Sequence, residues 1–210
     1  MIKSVNKKPN ILLFSLVGLL SGISVYIVDL LIPSSNALFY SNGIFGLYLG
    51  LFIYFFVSKE SFFRSILIAI FSVVSYVLAF VITTMVGIYI GFFTFGSNAD
   101  LSSLSSIFFI VTGFLLAFFL SLGFRWLYCS MSFLEIIGVS FLGGALSYIC
   151  LLIPSVHFQF LGGAGSDPHA YGLLFFSVIW QTGIATIFGF FILHEERIKA
   201  FRKGFFYLFS

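Results

Sequence analysis

SILIAIFSVVSYVLAFVITTMV, residues 65–86, runs for twenty-two positions without one charged residue. As a helix at 1.5 Å per residue it spans about 33 Å, close to the hydrocarbon thickness of a bilayer at about 30 Å. Backbone in lipid must satisfy its own hydrogen bonds, so this stretch is expected to cross a membrane as an α-helix. Upstream, Lys59, Glu60 and Arg64 mark the water boundary. Downstream, the apolar run continues to Phe93, too long for a single upright crossing. We expect the helix to end near Val86. Gly87 to Phe95 then lies at the interface, where Tyr89, Phe92, Phe93 and Phe95 form an aromatic belt.

The same character extends over the chain. Hydrophobic residues make up 60% of it and charged residues 8%. A soluble domain carries about 25% charged residues, so this surface must face lipid. The expected fold is all-α, a polytopic bundle of six transmembrane helices. The spans are 11–32, 37–57, 65–86, 105–124, 133–153 and 171–193, forming one membrane domain over 1–193. The start, with Lys3, Lys7 and Lys8 before Ile11–Leu20, has the outline of a signal peptide. No A-x-A-like site follows and the run continues through Ile32, so a retained first span is expected. Cys129 and Cys150 are 21 residues apart, about 30 Å along a helix, and are not expected to pair.

With six spans, the N-tail, the 58–64 loop, the 125–132 loop and the C-tail share one side. They contain all ten Lys and Arg residues of the chain, and the other three loops contain none. By the positive-inside rule both termini are cytoplasmic, and the pattern suits a bacterial inner membrane. The tail, 194–210, places Ile198, Phe201, Phe205 and Leu208 on one helical face, with Arg197, Lys199, Arg202 and Lys203 around the rest. It reads as a basic amphipathic helix on the anionic leaflet. Leu30-Leu31-Ile32-Pro33-Ser34 recurs as Leu151-Leu152-Ile153-Pro154-Ser155, each ending a span of the same direction. A duplicated hairpin would leave such an echo, although chance competes in so apolar a chain.

The polar residues within the spans bound the function. Gly18 and Gly22, Gly46 and Gly50, and Gly87 and Gly91 are GxxxG pairs, candidates for close helix packing. Asp29 and Glu135 are ionisable but lie near the ends of their spans, and Glu135 is within reach of Arg125. No charge lies at mid-depth, which argues against a proton relay or a site for highly charged solutes. Gln181, beside Thr182, is the deepest strong polar group and is expected to face the bundle interior. Gln181, Thr182, Asp29, Thr83 and Thr84 are therefore the candidate substrate-path residues. The 154–171 loop holds His157, Asp167 and His169, a metal-type donor set without a metal-site spacing, so no metal or other cofactor is expected.

No HExxH, phosphate loop or G-x-S-x-G elbow is present, so an enzyme is the weakest reading. The favoured expectation is a permease, or permease component, for a small neutral or lipid-like solute. The alternative is a non-catalytic subunit or assembly factor of a larger membrane complex. Expected partners are the lipid bilayer and, for the alternative, other membrane subunits or a second copy; nothing points to nucleic acid. Reporter fusions test the topology. Joined after Asp100 or after Asp167, a reporter active only outside the cytoplasm should be active. A cytoplasmic signal at either position would refute the six-span arrangement.

Overall fold

The structure, a computed structural model, describes residues 10–31, 37–57, 62–90, 101–152, 171–195 and 198. Six long helices follow in chain order. They are α1 (Ile11–Leu31), α2 (Ala37–Phe52), α3 (Phe62–Ile90), α4 (Leu101–Leu127), α5 (Phe133–Leu151) and α6 (Tyr171–Leu193). A π-helical turn, Ile53–Val57, ends α2. Among the described residues there is no strand, and six helices are long and apolar enough to cross a membrane. The chain is an all-α, polytopic membrane protein. Its outer surface carries large bare apolar side chains, such as Leu12, Met85, Ile88 and Leu134, which lipid rather than water must cover.

Local chemistry accounts for the ends. All four prolines, at positions 9, 33, 154 and 168, fall outside the six helices, as their missing N–H requires. Asn10 Oδ1 accepts the Leu13 N–H at 3.0 Å and caps α1. Ser132 and Glu135 form a reciprocal capping box at the start of α5. The Glu135 carboxylate accepts the Ser132 N–H at 2.6 Å. Glu135 thus has a role within its own helix. At the end of α2 the Ser65 hydroxyl donates to the Gly50 carbonyl at 2.8 Å, one turn before the ladder widens into the π-turn.

Two helices are longer than expected. α3 does not stop at Val86 but continues to Ile90, and α4 starts at Leu101 rather than Ser105 and ends at Leu127 rather than Phe124. A glycine inside a helix costs only about 1 kcal/mol, and Gly87 makes ordinary contact with the Phe108 ring at 3.4 Å. Thr83 and Thr84 return their hydroxyls to Ala79 and Phe80, so nothing in the sequence breaks the ladder there. The amphipathic tail over 194–210 lies almost wholly outside the described residues. Ile198 N–H bonds to the His194 carbonyl at 2.9 Å, a helical step beyond α6.

The helices form a ring in chain order, with α6 closing on α1. Neighbours run antiparallel: Ser15 meets Thr186 while Ser21 meets Gln181, and Gly50 meets Ser65 while Gly43 meets Val73. Alternate helices run parallel and meet inside the ring. Phe109 contacts Phe176 and Phe124 stacks on Phe188 at 4.1 Å between α4 and α6; Phe45 meets Trp180 between α2 and α6. These rings fill the axis of the bundle together with Leu120, Ile136 and Ile184.

Three of the six seams are close backbone contacts built on small residues. In α6–α1, a methyl at Gly18 would lie 2.5 Å from the Gln181 carbonyl oxygen, and one at Gly22 2.6 Å from Val178 Cα. In α2–α3, Gly46 faces Ala69 Cα at 2.7 Å and Gly50 faces the Ser65 carbonyl oxygen at 2.7 Å. In α4–α5, Gly113 faces Ser147, and Gly143 faces Ala117 and the Gly113 carbonyl. By contrast Gly87 touches only a side chain, and Gly91 lies outside the described residues. α5 and α6 meet more sparsely, with Leu146 seated on Gly183.

A branched side chain should be intolerable at these seams. Gly46→Val is expected to lower stability by about 1–3 kcal/mol or more, the range for overpacking. Gly138 has nothing within 4 Å of an added methyl. Gly138→Ala is therefore expected to be neutral or to stabilise by about 0.5–1 kcal/mol through helix propensity. Denaturation of the purified protein in mixed micelles, followed by circular dichroism, measures both.

Candidate functional site

The most polar part of the buried core lies where α1, α2 and α6 meet. Gln181 sits about 15 Å along α6 from Tyr171, near the middle of the span. Its residue is 2% exposed. The side chain faces inward because α6 presents Ser177, Trp180, Gln181, Ile184, Ala185 and Phe188 to its neighbours. A lipid-facing amide would leave two donors and an acceptor unpaired in hydrocarbon.

Gln181 bonds in both directions. Its Oε1 accepts the Ser21 hydroxyl from α1 at 2.6 Å. Its Nε2 donates to Ser41 Oγ at 2.8 Å and to the Ser41 carbonyl at 3.2 Å, both on α2. Ser41 Oγ in turn lies 3.4 Å from Ser177 Oγ, one helical turn from Gln181 on α6. One amide therefore ties three helices together. Gly18 and Gly22 make this possible, since only a bare backbone lets α1 come close enough for Ser21 to reach across.

The polar contacts continue along the same seam. Ser15 Oγ and Thr186 Oγ1 are 2.7 Å apart on the side of Gln181 toward the start of α1. On the other side Ser24 Oγ lies 2.8 Å from the Tyr48 hydroxyl. Asn42 is buried beside Ser41. Every polar side chain buried in the described core is neutral: Ser, Thr, Asn or Gln. On either side of Gln181 hydrogen-bonding capacity is left over. The Trp180 indole N–H and the Thr182 hydroxyl have no partner among the described residues.

The other candidates lie elsewhere. Thr83 and Thr84 are on α3, which packs on α2 and α4, and both hydroxyls return to their own helix. Asp29 is in the last turn of α1, and its side chain lies outside the described part of the structure. His157, Asp167 and His169 also fall outside the described residues. Among the described residues no group of three His, Cys, Asp or Glu side chains is placed to hold a metal. Cys129 and Cys150 are buried, and neither is in a disulfide.

Sequence reasoning passed over the serines. Ser21, Ser41 and Ser177 are unremarkable as residues, because a serine in a span usually bonds to its own helix, as Ser24, Thr112 and Ser140 do. Their role appears only when the helix register sets them opposite the amide. No protein-family model matches the chain, and no curated protein or solved structure matches it either. Function must be read from the site's own geometry.

The coupling across the seam is measurable. A double-mutant cycle of Ser21→Ala with Gln181→Leu is expected to show a coupling energy of about 0.6 kcal/mol, typical of hydrogen bonds between membrane helices. The same denaturation assay reports it.

Proposed function

We propose that the protein is a permease, or the membrane component of one, for a small neutral or lipid-like solute, acting in a bacterial cytoplasmic membrane with both termini inside. One observation carries this reading: a buried, charge-free cluster of hydrogen-bonding groups where α1, α2 and α6 meet, with spare capacity at Trp180 and Thr182 beside Gln181. Neutral donors and acceptors suit a solute that exchanges hydrogen bonds without bringing charge into hydrocarbon. A buried indole N–H or hydroxyl without a partner is costly, and a passing polar group relieves that cost. The axis of the bundle is packed with aromatic rings in this arrangement. Passage along the seam therefore requires α1, α2 and α6 to separate, as alternating-access bundles do. The location rests on the one-sided distribution of Lys and Arg.

A second reading has its own support. Gln181 is fully engaged within the chain, as a structural pin would be. That suits a scaffold subunit or assembly factor, whose helices need only hold their shape.

Reconstitution separates the two. In proteoliposomes the wild type is expected to raise either the efflux of small polyols, read by stopped-flow light scattering, or the dithionite accessibility of a fluorescent phospholipid. Gln181→Leu should abolish that rate while keeping helical content and elution volume. Transport unaffected by Gln181→Leu would refute this path. No flux above protein-free vesicles, together with recovery of a stoichiometric partner on purification, would favour the subunit reading.

A further inference from the structure

The polar seam leaves the far side of the ring unexplained, where α3 and α4 end together. Only two Lys or Arg residues fall among the described positions, and both are here: Arg64 in the first turn of α3 and Arg125 in the last turn of α4. Both are exposed. The antiparallel packing brings both to the same end of the α3–α4 seam: Arg64 Nη1 lies 3.4 Å from the Leu127 carbonyl, two residues along α4 from Arg125.

Below the arginines the surface is apolar and lined on both helices. Trp126 is 70% exposed and sets its ring edge-to-face on Phe71 at 5.6 Å. Val74 and Leu78 continue the Phe71 face of α3, and Leu122 continues the Trp126 face of α4; all three are exposed. Gly123 lets Phe71 sit low between the helices. Two cations therefore stand at the water boundary, an indole lies beside them at interface depth, and an apolar strip runs from there into the membrane.

We propose that this surface is a binding site for one anionic phospholipid, with Arg64 and Arg125 on its phosphate and Trp126 and Phe71 along the first part of an acyl chain. Guanidinium groups present paired N–H donors that match phosphate oxygens. A basic pocket between membrane helices attracts anionic headgroups through the same electrostatics that draw polybasic segments to anionic leaflets. An indole prefers the level of the headgroups, which fixes the depth at which the lipid sits. A zwitterionic lipid carries its own cation and gains less from this pair of charges.

Native mass spectrometry of the purified full chain tests this, with phosphatidylglycerol and phosphatidylcholine added in equal amounts. The wild type should retain one phosphatidylglycerol under activation that strips phosphatidylcholine. Arg125→Gln should weaken that preference about fivefold, and Arg64→Gln with Arg125→Gln about twenty-five-fold, taking each charge as an equal contribution. Arg64 also touches the end of α4, so the double variant is compared only if its helical content is unchanged. Arg125→Gln and Trp126→Ala, both at exposed positions, keep the test valid if it is not. Equal retention of the two lipids by the wild type would overturn the proposal. So would a preference that survives Arg125→Gln and Trp126→Ala undiminished.

Discussion

The bundle depends on how closely its backbones approach. In lipid there is no hydrophobic gain from pressing one apolar helix against another, so dispersion contact and interhelical hydrogen bonds must hold the helices together. Both strengthen steeply as the axes close. Gly18 and Gly22 of α1 against α6, Gly46 and Gly50 of α2 against α3, and the Gly113–Ser147 and Gly143–Ala117 contacts between α4 and α5 supply that approach. The close seams alternate with looser ones around the ring. Each close pair except α6–α1 is joined by the short connection at the end carrying Arg64 and Arg125, and α6–α1 brings the start of α1 and the end of α6 together at that same end. The molecule is thus three tight antiparallel pairs side by side.

Polar groups follow from that arrangement. Several hydroxyls in the helices, among them Thr83, Thr112 and Ser140, return to a carbonyl four residues back, which satisfies them within their own helix. Gln181 cannot do so with both ends of its amide. It reaches across two seams, to Ser21 within its own tight pair and to Ser41 in the next. The amide is therefore a polar link between the α6–α1 pair and the α2–α3 pair, alongside the Ser41–Ser177 and Ser24–Tyr48 contacts. Aromatic contacts link α6 to α4 on the other side, through Phe109 with Phe176 and Phe124 with Phe188.

Much of this fold is legible in the sequence because the membrane imposes so few solutions. Six apolar runs and the placement of every proline outside them leave little choice but a helical bundle. The depth of Gln181 and the absence of charge around it are also plain from position alone. What the sequence does not show is lateral register. Ser21 and Ser41 lie 160 and 140 residues from Gln181, and no local pattern distinguishes them from Ser24 or Ser140, which serve their own helices. The end of α3 was hidden for a different reason. Gly87 followed by aromatic residues resembles an interface signal, yet the ladder continues to Ile90 because neither glycine nor threonine is strong enough to stop a long packed helix.

On the proposed permease reading Gln181 would be both pin and path. A solute entering between α6 and α2 would then have to offer the amide N–H an acceptor as good as Ser41. A hydroxyl, ester or amide on the solute meets that condition, because it exchanges one neutral hydrogen bond for another at nearly equal free energy. A hydrocarbon chain alone does not, since it would leave the amide N–H unpaired in a medium that cannot compensate. A carboxylate fails for the opposite reason: no cation is buried among the described residues to receive it. On the proposed permease reading, the interaction that ties α6 to α1 and α2 would also set the chemistry of the solute, a neutral molecule carrying at least one hydrogen-bond acceptor.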